Sequence, residues 1–162
     1  MELTVREADL SDPDDSAGIV DVLDSYASDP IGGGEPLSAD VRARLPSGLR
    51  EHPTTVVVLA LDRERPVGVA VCFLGFTTFQ ARPLLNIHDL AVVPDWRGKG
   101  VGRALLEAVE RIARSRGCCK LTLEVQDSNG RARRLYEQVG FKDFVLGHAS
   151  ATRFLSKPLA RT

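Results

Sequence analysis

The sequence predicts an α/β fold, a mixed sheet flanked by helices and centred on one parallel β-α-β crossover, and three observations carry that expectation. Segments with strand-like and helix-like apolar spacing follow one another in the order βααβββαβαββ. A strand at Leu84–Val93, a helix at Val101–Arg116 and a strand at Lys120–Val125 succeed one another closely, as a right-handed connection between parallel strands requires. The size, 162 residues with 43% apolar and 27% charged, suits a single domain over residues 1–162 and leaves too little chain for a second.

Leu3 to Ala8 alternates as a strand does. Asp12-Pro13-Asp14-Asp15 is a helix start, and Ile19, Val20, Val22, Leu23 and Tyr26 give the stripe of a first helix from Pro13 to Ala27. Three glycines at 32–34 break it. Ser38 caps a second helix carrying Val41, Leu45 and Leu49, which Pro46 is expected to kink or shorten. Thr54–Leu61 and Val67–Phe76 are apolar and β-branched around Asp62-Arg63-Glu64-Arg65-Pro66, the pattern of a hairpin. Pro94 ends the next strand and Gly117 the crossover helix. A short helix at Arg131–Val139 closes at Gly140, and strands near Phe141–Leu146 and Ala151–Leu159 are expected to complete the chain.

Composition excludes several classes of function. No apolar run approaches the roughly 18 residues of a membrane span, and the start, Met1 to Glu7, lacks the order of a secretory signal, so a cytoplasmic protein beginning at Met1 is expected. Cys72, Cys118 and Cys119 match neither a disulfide framework nor a zinc spacing, and His52, His88 and His148 have no partner at ligand spacing, so no metal is expected. The net charge of -1 conceals an asymmetry. Ten acids and no base lie between Glu7 and Asp40, whereas seven bases against two acids lie between Arg97 and Lys120. These are either solvated faces or, respectively, a cation-attracting and an anion-attracting region.

The chemistry concentrates at Arg97-Gly98-Lys99-Gly100-Val101-Gly102-Arg103, between the first strand and the helix of the crossover. Alternate glycines let backbone N–H groups approach a ligand at a helix start, whose dipole carries about half a positive charge, so the segment is a cradle for an anion such as pyrophosphate. The spacing is not that of a P-loop, which excludes nucleotide triphosphate hydrolysis. Four residues precede the first glycine and Arg103 stands where a dinucleotide fingerprint wants its last, which leaves a nucleotide oxidoreductase an outsider although Glu124 lies about twenty residues on.

Arg97 to Gly102, preceded by Leu90-Ala-Val-Val-Pro94 and followed by Leu121-Thr-Leu-Glu-Val125, Asn129 and Leu135-Tyr-Glu-Gln-Val-Gly-Phe141, resembles the GCN5-related N-acetyltransferase (GNAT) superfamily over about 57 residues. The resemblance implies a GNAT-type sheet and acetyl-CoA as co-substrate. It implies that Leu90, Ala91 and Val92 present backbone to the pantetheine arm, that Arg97, Gly98, Lys99, Gly100, Val101, Gly102 and Arg103 hold the pyrophosphate, that Asn129 faces the cofactor and that Tyr136 stands beside the thioester sulfur. The alternative reading of Tyr136 is a packing residue beside Leu135, Val139 and Phe141. His88-Asp89-Leu90 is similar to the Glu-Asp-Leu segment of the diamine acetyltransferases within the superfamily, with His88 in place of the glutamate.

Amide formation at pH 7 needs a base, because an amine with pKa about 10.4 is neutral in only about one molecule in 2,500. His88, Asp89 and Glu124 are the candidates, and neighbours on a strand reach one face together only where the strand bulges. Trp96 could stack on adenine or pack in its turn, and Arg131, Arg133 and Arg134 could reach a further phosphate or line a solvated face. The expected activity is N-acetylation of a primary amine, first a cationic, polyamine-like small molecule. The alternatives are a protein N-terminus or lysine and, from another class, a non-catalytic coenzyme A sensor. Neither nucleic acid nor membrane is an expected partner, and a homodimer is common in the family resembled.

Overall fold

The computed structural model describes residues 2–147 and 150–159. Five strands, β1 (Leu3–Glu7), β2 (Thr55–Asp62), β3 (Arg65–Thr77), β4 (Arg82–Val92) and β5 (Leu121–Leu123), form one sheet in that order. Pairing is antiparallel from β1 to β4 and parallel between β4 and β5. Helices α1 (Pro13–Ser28) and α2 (Ala39–Glu51) connect β1 to β2, α3 (Val101–Ser115) forms the crossover, and α4 (Gly130–Gln138) follows β5.

Both faces of the sheet are covered, which is why β2 and β3 read as continuous apolar runs. Val56, Val58, Ala60, Ala70, Cys72, Leu85 and Ile87 pack under Val101, Leu105, Leu106, Ala108 and Val109 of α3. Their strand neighbours Val57, Leu59, Val69, Val71 and Ala91 pack under Ile19, Val22 and Leu23 of α1 and Leu49 of α2. Leu59, Leu85 and Leu105 are fully buried, each worth about 1.5–3 kcal/mol of apolar transfer. Gly68 lets α3 begin hard against the sheet: a Cβ there would lie 2.9 Å from Val101 Cγ1 and 3.2 Å from the Ala91 carbonyl oxygen.

At the start of α1, Asp12 accepts from the Asp14 N–H at 2.9 Å, and Pro13 fills the first helical position. Asp15, only 4% exposed, is satisfied by both nitrogens of Arg6 at 2.6 and 2.7 Å and by the Asp9 N–H at 2.8 Å. Ser38 caps α2 through the Val41 N–H.

Three expectations change. Pro46 does not shorten α2, which runs from Ala39 through to Glu51; the missing N–H leaves only the Arg42 carbonyl without its helical partner. β5 spans three residues instead of six, because β4 changes its hydrogen-bonding direction beside it, as described below. The C-terminal strands shrink to Val145–Leu146 and Ser150–Ala151, paired as a separate ribbon, β6 and β7. Residues 152–159 stay unpaired among the described residues: Pro158 lacks a donor, and Phe154, Leu155 and Leu159 are 73–85% exposed, with no apolar face to bury against. His148 lies outside the described residues.

Candidate active site

The site begins with an interruption in strand pairing. β4 pairs with β5 only at Leu85–Leu121, Asn86–Thr122 and Ile87–Leu123, then continues to Val92 against β3 alone. In the first half of β4 the Leu85 N–H donates to Lys120 on the β5 side. In its extension the Val93 N–H donates to Val67, on the β3 side. An odd-numbered residue thus faces β5 before His88 and β3 after it, and the reversal is a bulge: Val71 pairs with Asp89 and Cys72 with Ile87, leaving His88 as the extra residue. By the same alternation the backbone groups of Leu90 and Val92 face the gap that β5 has vacated, while those of Ala91 face β3. The Val92 carbonyl accepts from Arg97 Nε at 3.0 Å. Leu90 and the Val92 N–H therefore form a short free edge, and Ala91, expected to share it, contributes a buried side chain under α1 instead.

The bulge also satisfies the condition for His88 and Asp89 to share a face. The His88 ring lies edge-on to Phe73 with centroids 5.7 Å apart, and Phe73 packs in the α1–α2 cluster. Asp89 pairs with Val71, whose side chain belongs to the same cluster. His52, at the end of α2, flanks Phe73 from the other side at 5.0 Å. Burial raises the Asp89 carboxyl above its ordinary value, and the neighbouring His88 lowers it in part. Asp89 has no ion-pair partner among the described residues.

Tyr136 of α4 packs edge-on to Phe141 at 5.8 Å, and burial first, then Tyr26, pushes its phenol up to about 12. Tyr26, on the inner face of α1, is raised by burial and by the charges of Asp89 and Asp29. It is the site residue that sequence reasoning missed, having been read only as part of an apolar stripe. Glu124 is exposed one residue beyond Leu123, past the end of β5.

Beyond β4 a tight turn at Pro94–Trp96 leads into the glycine loop. Gly98 and Gly100 have φ of +74° and +85°, in the left-handed region where side chains are strained. Gly100 is the N-cap of α3 and no side chain caps that helix, so the first-turn N–H groups remain available to an anion. Gly102 serves packing: a Cβ there would lie 3.0 Å from Leu135 Cδ2.

Several side chains expected at the cofactor are engaged elsewhere. Arg97 reaches Asp29 at 2.7 Å besides the Val92 carbonyl, Arg103 donates to Gln138 at 2.9 Å, and Lys99 lies 5.0 Å above the Trp96 ring, which itself packs on the core. Asn129 spends its oxygen capping α4 through the Ala132 N–H at 3.1 Å. Arg131 extends to the loop, its Nη2 3.6 Å from where a Gly98 Cβ would stand, and Arg133 lies 3.6 Å from Asp127.

The acidic stretch is largely matched by arginines. Asp15 pairs with Arg6, Asp21 and Asp24 with Arg42, Asp29 with Arg97, Asp40 with Arg44 and Glu7 with Arg116. A count along the chain therefore overstates the field at the site. Among the described residues no three His, Cys, Asp or Glu side chains gather to hold a metal, and no helix is long and apolar enough to cross a membrane.

A sheet opened between parallel strands, with a free peptide edge on one side and an uncapped helix N-terminus below, is an α/β frame suited to an extended ligand with an anionic end. Residues 19–141 match the acetyltransferase (GNAT) family, and the chain belongs to it: an acetyl-CoA-dependent N-acetyltransferase. It is 31% identical over 147 residues to the uncharacterized N-acetyltransferase YhfO of Bacillus subtilis (strain 168), covering 87% of this chain and 91% of that one. Thialysine N-epsilon-acetyltransferase of Bos taurus is 34% identical over 77 residues, 48% of this chain and 45% of its own. The structure of an aminoglycoside acetyltransferase from an uncultured soil metagenomic sample, in complex with sisomicin, has the same fold with a TM-score of 0.75 at 16% identity, over 94% of this chain and 97% of that one.

Proposed function

We propose that this enzyme transfers the acetyl group of acetyl-CoA to the primary amine of a cationic small molecule, in the gap between β4 and β5. The observation that carries the reading is the bulge at His88, which frees the Leu90–Val92 edge and turns His88 and Asp89 toward the α1–α2 wall. The free edge fits the amides of a pantetheine arm, and the start of α3 with Gly98 and Gly100 fits its pyrophosphate, with Arg131 alongside. Their backbones, more than the side chains of Arg97, Arg103 and Asn129, do the holding.

Asp89 receives the ammonium of the acceptor, being a half-buried carboxylate without a counter-ion, and drains its proton, directly or through His88. The neutral amine then attacks the thioester carbonyl and the C–N bond forms; the nitrogen of the tetrahedral intermediate gives its remaining extra proton to water as the C–S bond breaks and the thiolate leaves. Tyr136, held near pKa 12, stays protonated at neutral pH and donates a hydrogen bond to that sulfur. Full transfer to a thiolate of ordinary pKa about 8.5 is uphill by about three and a half pKa units, so the phenol stabilises the leaving group without becoming its proton source.

Thiol release from acetyl-CoA with a panel of amines tests the reading. Turnover with thialysine or a polyamine ahead of neutral amines is the expected result. Preference for a peptide N-terminus or a protein lysine replaces the acceptor class, and acetyl-CoA binding without thiol release under any amine returns the protein to a sensor.

A further inference from the structure

We propose that Asp29 is a positioning residue that, through Arg97, clasps the wall of the acceptor site to the cofactor loop. The inference rests on acetyl transfer at the β4–β5 gap and assigns that site a coupling between its two substrates. Asp29 follows α1 and binds in two directions. Its Oδ1 accepts from the Ile31 N–H at 3.0 Å and its carbonyl from Gly32 and Gly34 at 2.8 and 3.0 Å, which folds the turn between α1 and α2. Its Oδ2 accepts from Arg97 Nη1 at 2.7 Å across 68 residues of chain. Arg97 in turn donates through Nε to the Val92 carbonyl at 3.0 Å.

The two side chains are 16% and 23% exposed, so the pair is shielded from the solvent that makes surface pairs weak. One guanidinium thus fixes the end of the free β4 edge, the entry to the glycine loop and the turn three residues after Tyr26. A planar fork can span a carbonyl and a carboxylate at once, and a lysine ammonium cannot reproduce that geometry. The carboxylate already on Arg97 also opposes the expectation that its side chain is a ligand of pyrophosphate.

Calorimetry of acetyl-CoA on the whole protein tests this with Asp29→Asn, Arg97→Gln and the double variant. Asn keeps an oxygen for the Ile31 N–H, so the turn is retained while the charge is lost. We expect each single change to weaken acetyl-CoA binding about tenfold, the double no further, and thermal midpoints to fall by only a few degrees. Arg97→Lys should weaken binding as much as Arg97→Gln, which keeps the test open even if Asp29→Asn fails to fold. The clasp is overturned if Asp29→Asn leaves affinity unchanged, if Arg97→Gln weakens it equally with either residue at 29, or if Arg97→Lys restores it. Wild-type protein that binds no acetyl-CoA overturns the site itself together with the clasp.

Discussion

The two halves of β4 put one strand to two uses. From Arg82 to Ile87 it has β3 on one side and β5 ahead on the other, with Leu85 and Ile87 buried under α3. From His88 to Val92 it has β3 alone, and its other edge is open. A single extra residue separates the regimes. The first half spends its backbone and side chains on stability, whereas the second forgoes a partner strand and half-buries a carboxylate that has no counter-ion among the described residues, both costs to the fold that the proposed acetyl transfer would put to use.

The comparison can be broken most forcefully at Asp89. Asp89→Asn should cut kcat/KM by about 10²- to 10⁴-fold, as loss of a general base does, while the thermal midpoint at pH 7 stays level or rises. The sign follows from the raised folded value: the buried carboxylate opposes folding fully above that value, the penalty disappears as pH falls below the unfolded value near 3.8, and Asn never bears it. Unchanged turnover together with a lower midpoint would move Asp89 into the structural half. Leu85→Ala, in the first half, should do the opposite, losing about 2–5 kcal/mol in chemical denaturation while the folded fraction keeps its KM for acetyl-CoA. The smallest effect is expected at the boundary. His88 lowers the Asp89 value, so His88→Ala should shift the acid limb of the kcat/KM profile to higher pH; a limb that does not move means that the imidazole does not act on Asp89.

Much of this was legible beforehand. The element order, the crossover and the glycine loop follow from local signals, and the left-handed backbone of Gly98 and Gly100 is what alternate glycines announce. Pairing was not legible. The bulge is a relation between His88 and the gap from Val71 to Cys72 on another strand, so sequence could state only the condition that His88 and Asp89 required. The Asp29–Arg97 pair spans 68 residues, and the arginines that match the acidic stretch lie just outside it, Arg6, Arg42 and Arg44, or far along the chain, Arg97 and Arg116, so a count confined to the stretch misjudges the field. Tyr26 reads as one more member of a helical stripe, because only the packed fold brings it within range of the Asp89 charge. The C-terminal strands failed for a related reason: apolar residues make a strand only where an edge receives them.

The first two strands have a consequence for how this enzyme can diversify. Leu3 pairs with Asp62 and Glu7 with Val58, so α1, its turn and α2 form a single excursion between two neighbouring strands. Closing such an excursion costs only about 0.6 kcal/mol more for each doubling of its length. The excursion can therefore be lengthened, shortened or exchanged with little disturbance to the register of the sheet, provided that what replaces it still covers Val57, Leu59, Val69 and Val71 and still offers Arg97 a carboxylate. If the proposed acceptor wall is this excursion, it is a removable panel, and grafting the segment between β1 and β2 from a relative should change the preferred amine on the same cofactor frame.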